Sequence, residues 1–128
     1  MLNSPAMSGE AILLSTIPVL PSANIARDVL WYKEKTGFEA RWHDNMYAVL
    51  LRDDLCIHLQ WHAATDNDPL LGGSVIRICV KNIQPLFGEF VNRGAVDRAK
   101  FVANTPWGTN EFGFFDLNKN AIFIFEDV

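Results

Sequence analysis

An order of elements that runs twice constrains this chain more than anything else in it. An apolar stretch over 11–20 reads as a strand, and a helix follows with Ile25, Val29 and Tyr32 at helical spacing. Ser22 or Asn24 can cap that helix, and Gly37 ends it as a left-handed residue would. Three short alternating segments come next, at 38–43, 46–51 and 55–61, separated by the turns Asp44-Asn45 and Arg52-Asp53-Asp54. Then the order begins again. A strand over 74–80 precedes a helix over 83–92, with Ile83, Leu86, Phe87, Phe90 and Val91 as its buried stripe and Gly94 at its end. Short strands are predicted at 100–102, 110–116 and 121–126, the last two joined by Asn118-Lys119-Asn120. The repeat lies in pattern and hardly at all in residue identity.

The fold expected is α+β: two βαβββ units whose curved mixed sheets surround a cleft, with the helices outside. The predicted boundaries are a tail at 1–11 and one domain at 12–126, made of units at 12–62 and 74–126 with a connector at 63–73. A chain of 128 residues suits one such domain. Nine Phe and four Trp give it more flat apolar surface than a core of this size requires. The net charge of −4 argues against nucleic acid as a partner. No run reaches the roughly 20 apolar residues of a membrane span. The first ten residues lack the basic-then-apolar order of a signal peptide, so a cytoplasmic protein is expected. Cys56 and Cys79 lie inside apolar strands, without the spacing of a metal knuckle, and read as free thiols.

Pro106 and Gly108 bracket Trp107 in a turn ahead of the strand at 110–116. A Trp fixed in this way either fills a core or walls a cleft for a planar ligand, and the local sequence leaves both open. On the segment at 55–61, Leu55, Ile57, Leu59 and Trp61 point one way. Cys56, His58, Gln60 and His62 point the other. Arg77 sits inside a strand and needs an acidic partner or water, with Glu111 the candidate; paired, it is structural, and unpaired, it is free to meet a ligand. His58 and Glu111 are also the one pair available for general acid–base work, against the plainer reading of His58 as hydrogen-bonded to a neighbour.

Several of these pieces together resemble the vicinal oxygen chelate superfamily, within it the glyoxalase/bleomycin resistance protein/dioxygenase group, and most of all bleomycin-resistance proteins. They are Pro18-Val19-Leu20-Pro21-Ser22, Trp31-Tyr32, Gly37-Phe38, the stretch 58–62 with Asp68-Pro69, Pro106-Trp107-Gly108, Glu111-Phe112 and Asp116. The last hairpin departs from the family's Asp-Pro-Asp-Gly-Asn, reading Asp116-Leu117-Asn118-Lys119-Asn120; an Asn is expected to supply the positive φ there. Enzymes of the superfamily hold a divalent metal at four strand positions. Here those positions carry Ile17 (or Thr16), His58, Val75 and Phe123, and one imidazole is too few ligands for a metal site. The resemblance therefore implies no metal, no cofactor and no catalytic residue. It implies a homodimer that sequesters a planar or cationic antibiotic-like small molecule in an aromatic cleft at the subunit interface. The expected ligand-binding residues are Trp107, Tyr47, His58, Gln60, Arg77, Glu111 and Phe123, with Ile17, Val49 and Val75 completing the walls. Two alternatives stand beside it: a glyoxalase-like or dioxygenase-like metalloenzyme with a displaced metal site, and a protein with neither role, kept for an unrelated small ligand or as an interaction module.

Overall fold

The computed structural model describes residues 9–70 and 72–128, so residues 1–8 of the predicted tail at 1–11, and Leu71 of the connector, lie outside the described residues. The first unit contains β1 (Val19–Ser22), α1 (Ile25–Thr36), β2 (Glu39–His43), β3 (Tyr47–Arg52) and β4 (Leu55–Trp61). Its sheet runs β1-β4-β3-β2, with β1 parallel to β4 and the other pairs antiparallel. The second unit contains β5 (Val75–Cys79), α2 (Ile83–Asn92), β6 (Thr109–Phe115) and β7 (Ala121–Asp127), in the order β5-β7-β6 with β5 parallel to β7. The architecture is thus α+β, two mixed sheets and two helices, with no closed barrel. No helix among the described residues is long and apolar enough to cross a membrane.

Two of the expected strands need correction. The first strand begins at Val19 and not at residue 11, and it continues past residue 20 through Pro21 and Ser22. Proline has no N–H to give a ladder, but an edge strand can pair through its carbonyls. His58 N–H donates to Pro18 O at 3.0 Å, and His62 N–H donates to Ser22 O at 2.9 Å. Residues 11–18 carry an apolar pattern without regular structure, and Leu13 and Leu14 are 99% and 89% exposed. The predicted strand at 100–102 is instead a 3-10 turn over Arg98–Lys100 followed by one bridge, Val102 to Glu111. That bridge extends the second sheet past β6, where β2 lies in the first.

Helix ends and helix faces join the two units. Asn24 caps α1 by accepting from Arg27 N–H at 3.0 Å, while Ser22 donates its hydroxyl to Asp28. Gly37 takes φ 74° at the other end, where a Cβ would stand 2.8 Å from Arg52 Nη1. The open carbonyls of that last turn are met by Arg52 of β3 and by Arg93 just after α2. Arg52 donates to Thr36 O and clasps both oxygens of Glu89 on α2, and Arg93 donates to Lys33 O, Glu34 O and the same Glu89. The buried residues form one core in which Tyr32, Leu50 and Leu59 meet Phe90, Phe112, Phe114 and Ile124.

A buried polar cluster ties the last hairpin to the first helix. Asp116 Oδ2 accepts from Tyr32 Oη at 2.6 Å and from Asn120 Nδ2 at 2.8 Å. Its Oδ1 accepts from the backbone N–H groups of Asn118 and Asn120. Asn118 in turn donates to Asp28 at 2.7 Å and accepts from Ala23 N–H and Arg27. Lys119, not an Asn, takes the positive φ of 64° in this hairpin, because Asp116 binds the amides on either side and fixes the turn. Burial above all, then the Asp116 carboxylate, push the Tyr32 phenol far above its ordinary pKa, so it remains a donor. Tyr32→Phe is expected to lower the unfolding free energy by about 1–3 kcal/mol in urea denaturation, since it strips one donor from a buried carboxylate.

Candidate functional site

The helices cover one face of each sheet and leave the opposite faces open, and the polar residues singled out above stand there. On the second sheet, Arg77 of β5, Phe123 and Phe125 of β7, and Glu111, Gly113 and Phe115 of β6 share the open face by alternation. Gly113 has no side chain, and the Phe123 ring occupies the space it leaves: a Cβ on Gly113 would be 2.6 Å from the ring. The Arg77 guanidinium lies 4.5 Å from the Phe125 ring centre and 5.8 Å from that of Phe123. Its Nη2 donates to Glu111 Oε1 at 3.2 Å, the partner expected for it.

Trp107 belongs to the same cluster. Gly108 takes φ 83° in the turn, and Thr105 and Thr109 close it through two backbone bonds and a 2.7 Å hydroxyl contact. Thr109 Oγ1 then donates to Glu111 Oε1 at 2.7 Å, and Trp107 Nε1–H donates to the same oxygen at 2.9 Å. The indole is thus held by its edge, while the residue is 65% exposed. Of the two readings open for Trp107, core is the one the structure excludes. Burial works against the Glu111 carboxylate, but the bonds from Thr109, Trp107 and Arg77 outweigh it and hold the pKa below the ordinary glutamate value.

The first sheet carries a second group. Tyr47 Oη lies 2.8 Å from His58 Nδ1, with the rings edge to face, and Gln60 sits beside Tyr47 in the ladder. This engagement with Tyr47 is the plainer of the two readings of His58. His58 and Glu111 stand on different sheets with separate partners, so the acid–base pairing considered for them is not formed. His62 is bound into the connector through Asp68 at 2.8 Å. The four positions that the resemblance assigns to metal offer one imidazole among three hydrocarbon side chains, which does not fit a divalent ion, and no group of three or more His, Cys, Asp or Glu converges among the described residues.

Two grooves open beside these faces. One, of about 380 Å³, lies between the β6 edge and the segment after α2, and Glu111, Phe115, Phe123, Val96 and Val102 line it. Another, of about 490 Å³, runs between β4 and β5 and is lined by Ile17, Cys56, Arg77 and Cys79. Tyr47, His58, Gln60 and Trp107 line neither. The expected site residues therefore fall into two half-surfaces: Trp107, Glu111, Arg77 and Phe123 on one sheet, Tyr47, His58 and Gln60 on the other. Thr109, Gly113 and Phe125 were missed. A lone Gly in a strand is a signal of close approach, and Thr109 shares the face of Glu111 two residues on.

No protein-family model matches the chain. The bleomycin resistance proteins of Geobacillus stearothermophilus and Staphylococcus aureus are each 25% identical to it over 130 residues, covering 91% of this chain and 98% of theirs. The crystal structure of a bleomycin resistance determinant encoded on transposon Tn5 superposes with a TM-score of 0.74 at 17% identity, over 90% of this chain and 98% of that one. The chain resembles the bleomycin resistance proteins in sequence and fold. A bleomycin-binding protein in complex with bleomycin matches equally well, at a TM-score of 0.74 and 17% identity over 91% of this chain and 100% of that one. A glyoxalase/bleomycin resistance protein/dioxygenase from Nocardioides has a TM-score of 0.73 at 15% identity, over 96% of this chain and 89% of that one, so the fold is shared across that wider group.

The bonds at Glu111 set a pH dependence. A carboxyl with a lowered folded pKa contributes stability that is present above its unfolded value and lost as pH falls through the folded one. The Trp107 indole N–H resonance is expected to shift in that acid window, and the shift should be absent in Glu111→Gln.

Proposed function

We propose that this protein sequesters a planar, antibiotic-like small molecule and does no chemistry on it, binding it at an aromatic surface shared by two copies of the chain. The observation that carries the reading is Trp107: a large ring anchored by its N–H to a buried carboxylate, with its faces open, in a chain that resembles bleomycin resistance proteins. Such a ring loses little conformational freedom when a flat ligand stacks on it. Phe123 and Glu111 extend the surface, Arg77 is structural through its pairing with Glu111, and Tyr47, His58 and Gln60 supply polar groups on the other sheet.

A dimer accounts for two features of the single chain. The recognition residues form two half-surfaces, and a two-fold partner can set one against the other. The apolar residues Ile12, Leu13, Leu14 and Ile17 are left exposed, as is Val75 on the edge strand β5. We assign the protein to the cytoplasm on its free thiols, Cys56 and Cys79. The donor set at the positions that the resemblance assigns to metal weighs against the metalloenzyme alternative.

Titration with bleomycin, followed by Trp fluorescence, tests the reading. Wild type should bind, and Trp107→Ala should bind about tenfold or more weakly, with little loss of fold stability because the ring is exposed. Light scattering at micromolar concentration should give the mass of two chains. Absence of binding by wild type removes the drug from the proposal, and a monomer removes the shared surface.

A further inference from the structure

The two oxygens of the Glu111 carboxylate are used unequally. Oε1 takes every side-chain donor: Thr109 at 2.7 Å, Trp107 at 2.9 Å and Arg77 at 3.2 Å. A carboxylate oxygen offers about two lone-pair directions, so Oε1 is saturated. Oε2 has no partner among the described residues. Glu111 is only 7% exposed, yet Oε2 is not sealed in, because the one enclosed side-chain polar atom without a partner among those residues is Asn120 Oδ1. Glu111 lines the groove of about 380 Å³, together with Phe115, Phe123 and Val102. A charged acceptor beside apolar walls must be met by water or by a ligand's donor.

We propose that Glu111 Oε2 is the anchoring acceptor for a planar amidinium or guanidinium group of the ligand. The inference rests on reading this sheet face as the ligand surface, and it adds the chemical class of the group bound there. An N–H donor of that kind makes a charge-assisted bond with a carboxylate oxygen. Its flat cation suits the aromatic rings at the groove, of which Phe115 is 67% exposed. Arg77 does not close the site to a second cation. Its charge is spread over the Phe125 face and solvent, and elsewhere in this protein Glu89 accepts two guanidinium groups at once, from Arg52 and Arg93. Lys100 and Asp97 also line the groove, and neither forms an ion pair with Glu111 or Arg77.

The test uses benzamidine and acetophenone, which share a shape and differ in the N–H donors, titrated into the 15N-labelled full chain. The readout is the indole N–H cross-peak of Trp107, identified with Trp107→Phe, because that proton sits on the same carboxylate. Benzamidine is expected to shift it saturably, and acetophenone is not. In Glu111→Gln the amide oxygen can keep the three donors while its NH2 replaces Oε2, so benzamidine affinity should fall at least tenfold and acetophenone should gain. Intermolecular nuclear Overhauser effects from benzamidine to Phe115 and Val102 in wild type give the same answer without a variant. Equal shifts by both probes, an unchanged benzamidine affinity in Glu111→Gln, or no effect at Phe115 and Val102 would each overturn the assignment. Bleomycin binding without a benzamidine response defeats this inference alone, and a benzamidine response without bleomycin binding defeats only the drug reading.

Discussion

A single buried carboxylate, Asp116, holds the two halves of this molecule in register. It takes four hydrogen bonds: the Tyr32 phenol from α1, the Asn120 side chain, and two backbone N–H groups of its own hairpin. An ionised group removed from water is tolerated only when paired this fully. Asn120 also donates to Pro21 O, so the same cluster positions β1, where the chain enters the first sheet. Through these bonds the β6–β7 hairpin, α1 and the edge of the first sheet become one rigid assembly. The Arg52–Glu89–Arg93 clasp does the same at the far end of α1.

Because the polar scaffold is internal, the open sheet faces are free to differ. Residues that make the chain resemble its relatives divide accordingly. Tyr32 and Asp116 are buried and structural. Trp107 is exposed on the open face and is held through its N–H by Glu111, which is itself buried.

Much of the fold was legible because the signals were local. The alternation in β4 and the helix-ending Gly37 and Gly94 depend on neighbours a few residues away. The onset of β1 was not legible, because the apolar residues 12–17 look like a strand whether or not anything pairs with them. Nor was the loss of the strand at 100–102, where a 3-10 turn leaves Val102 alone to pair. At the candidate site, the Arg77–Glu111 pairing followed from the cost of an isolated charge. Thr109 and the Phe123 ring over Gly113 depend on register between β6 and β7, which the residue pattern of either strand does not fix. The separation of Tyr47 and His58 from Trp107 is likewise a matter of which sheet each occupies.

The central claim is that recognition takes place on the open face of the second sheet and is completed by a second copy of the chain. A crystal structure of the protein grown with bleomycin tests it most directly. The account predicts drug density stacked on Trp107, reaching Glu111 and touching Tyr47 or His58 of the other copy. Drug density remote from Trp107, or two copies packed so that every Trp107 faces solvent beside an empty surface, would contradict it.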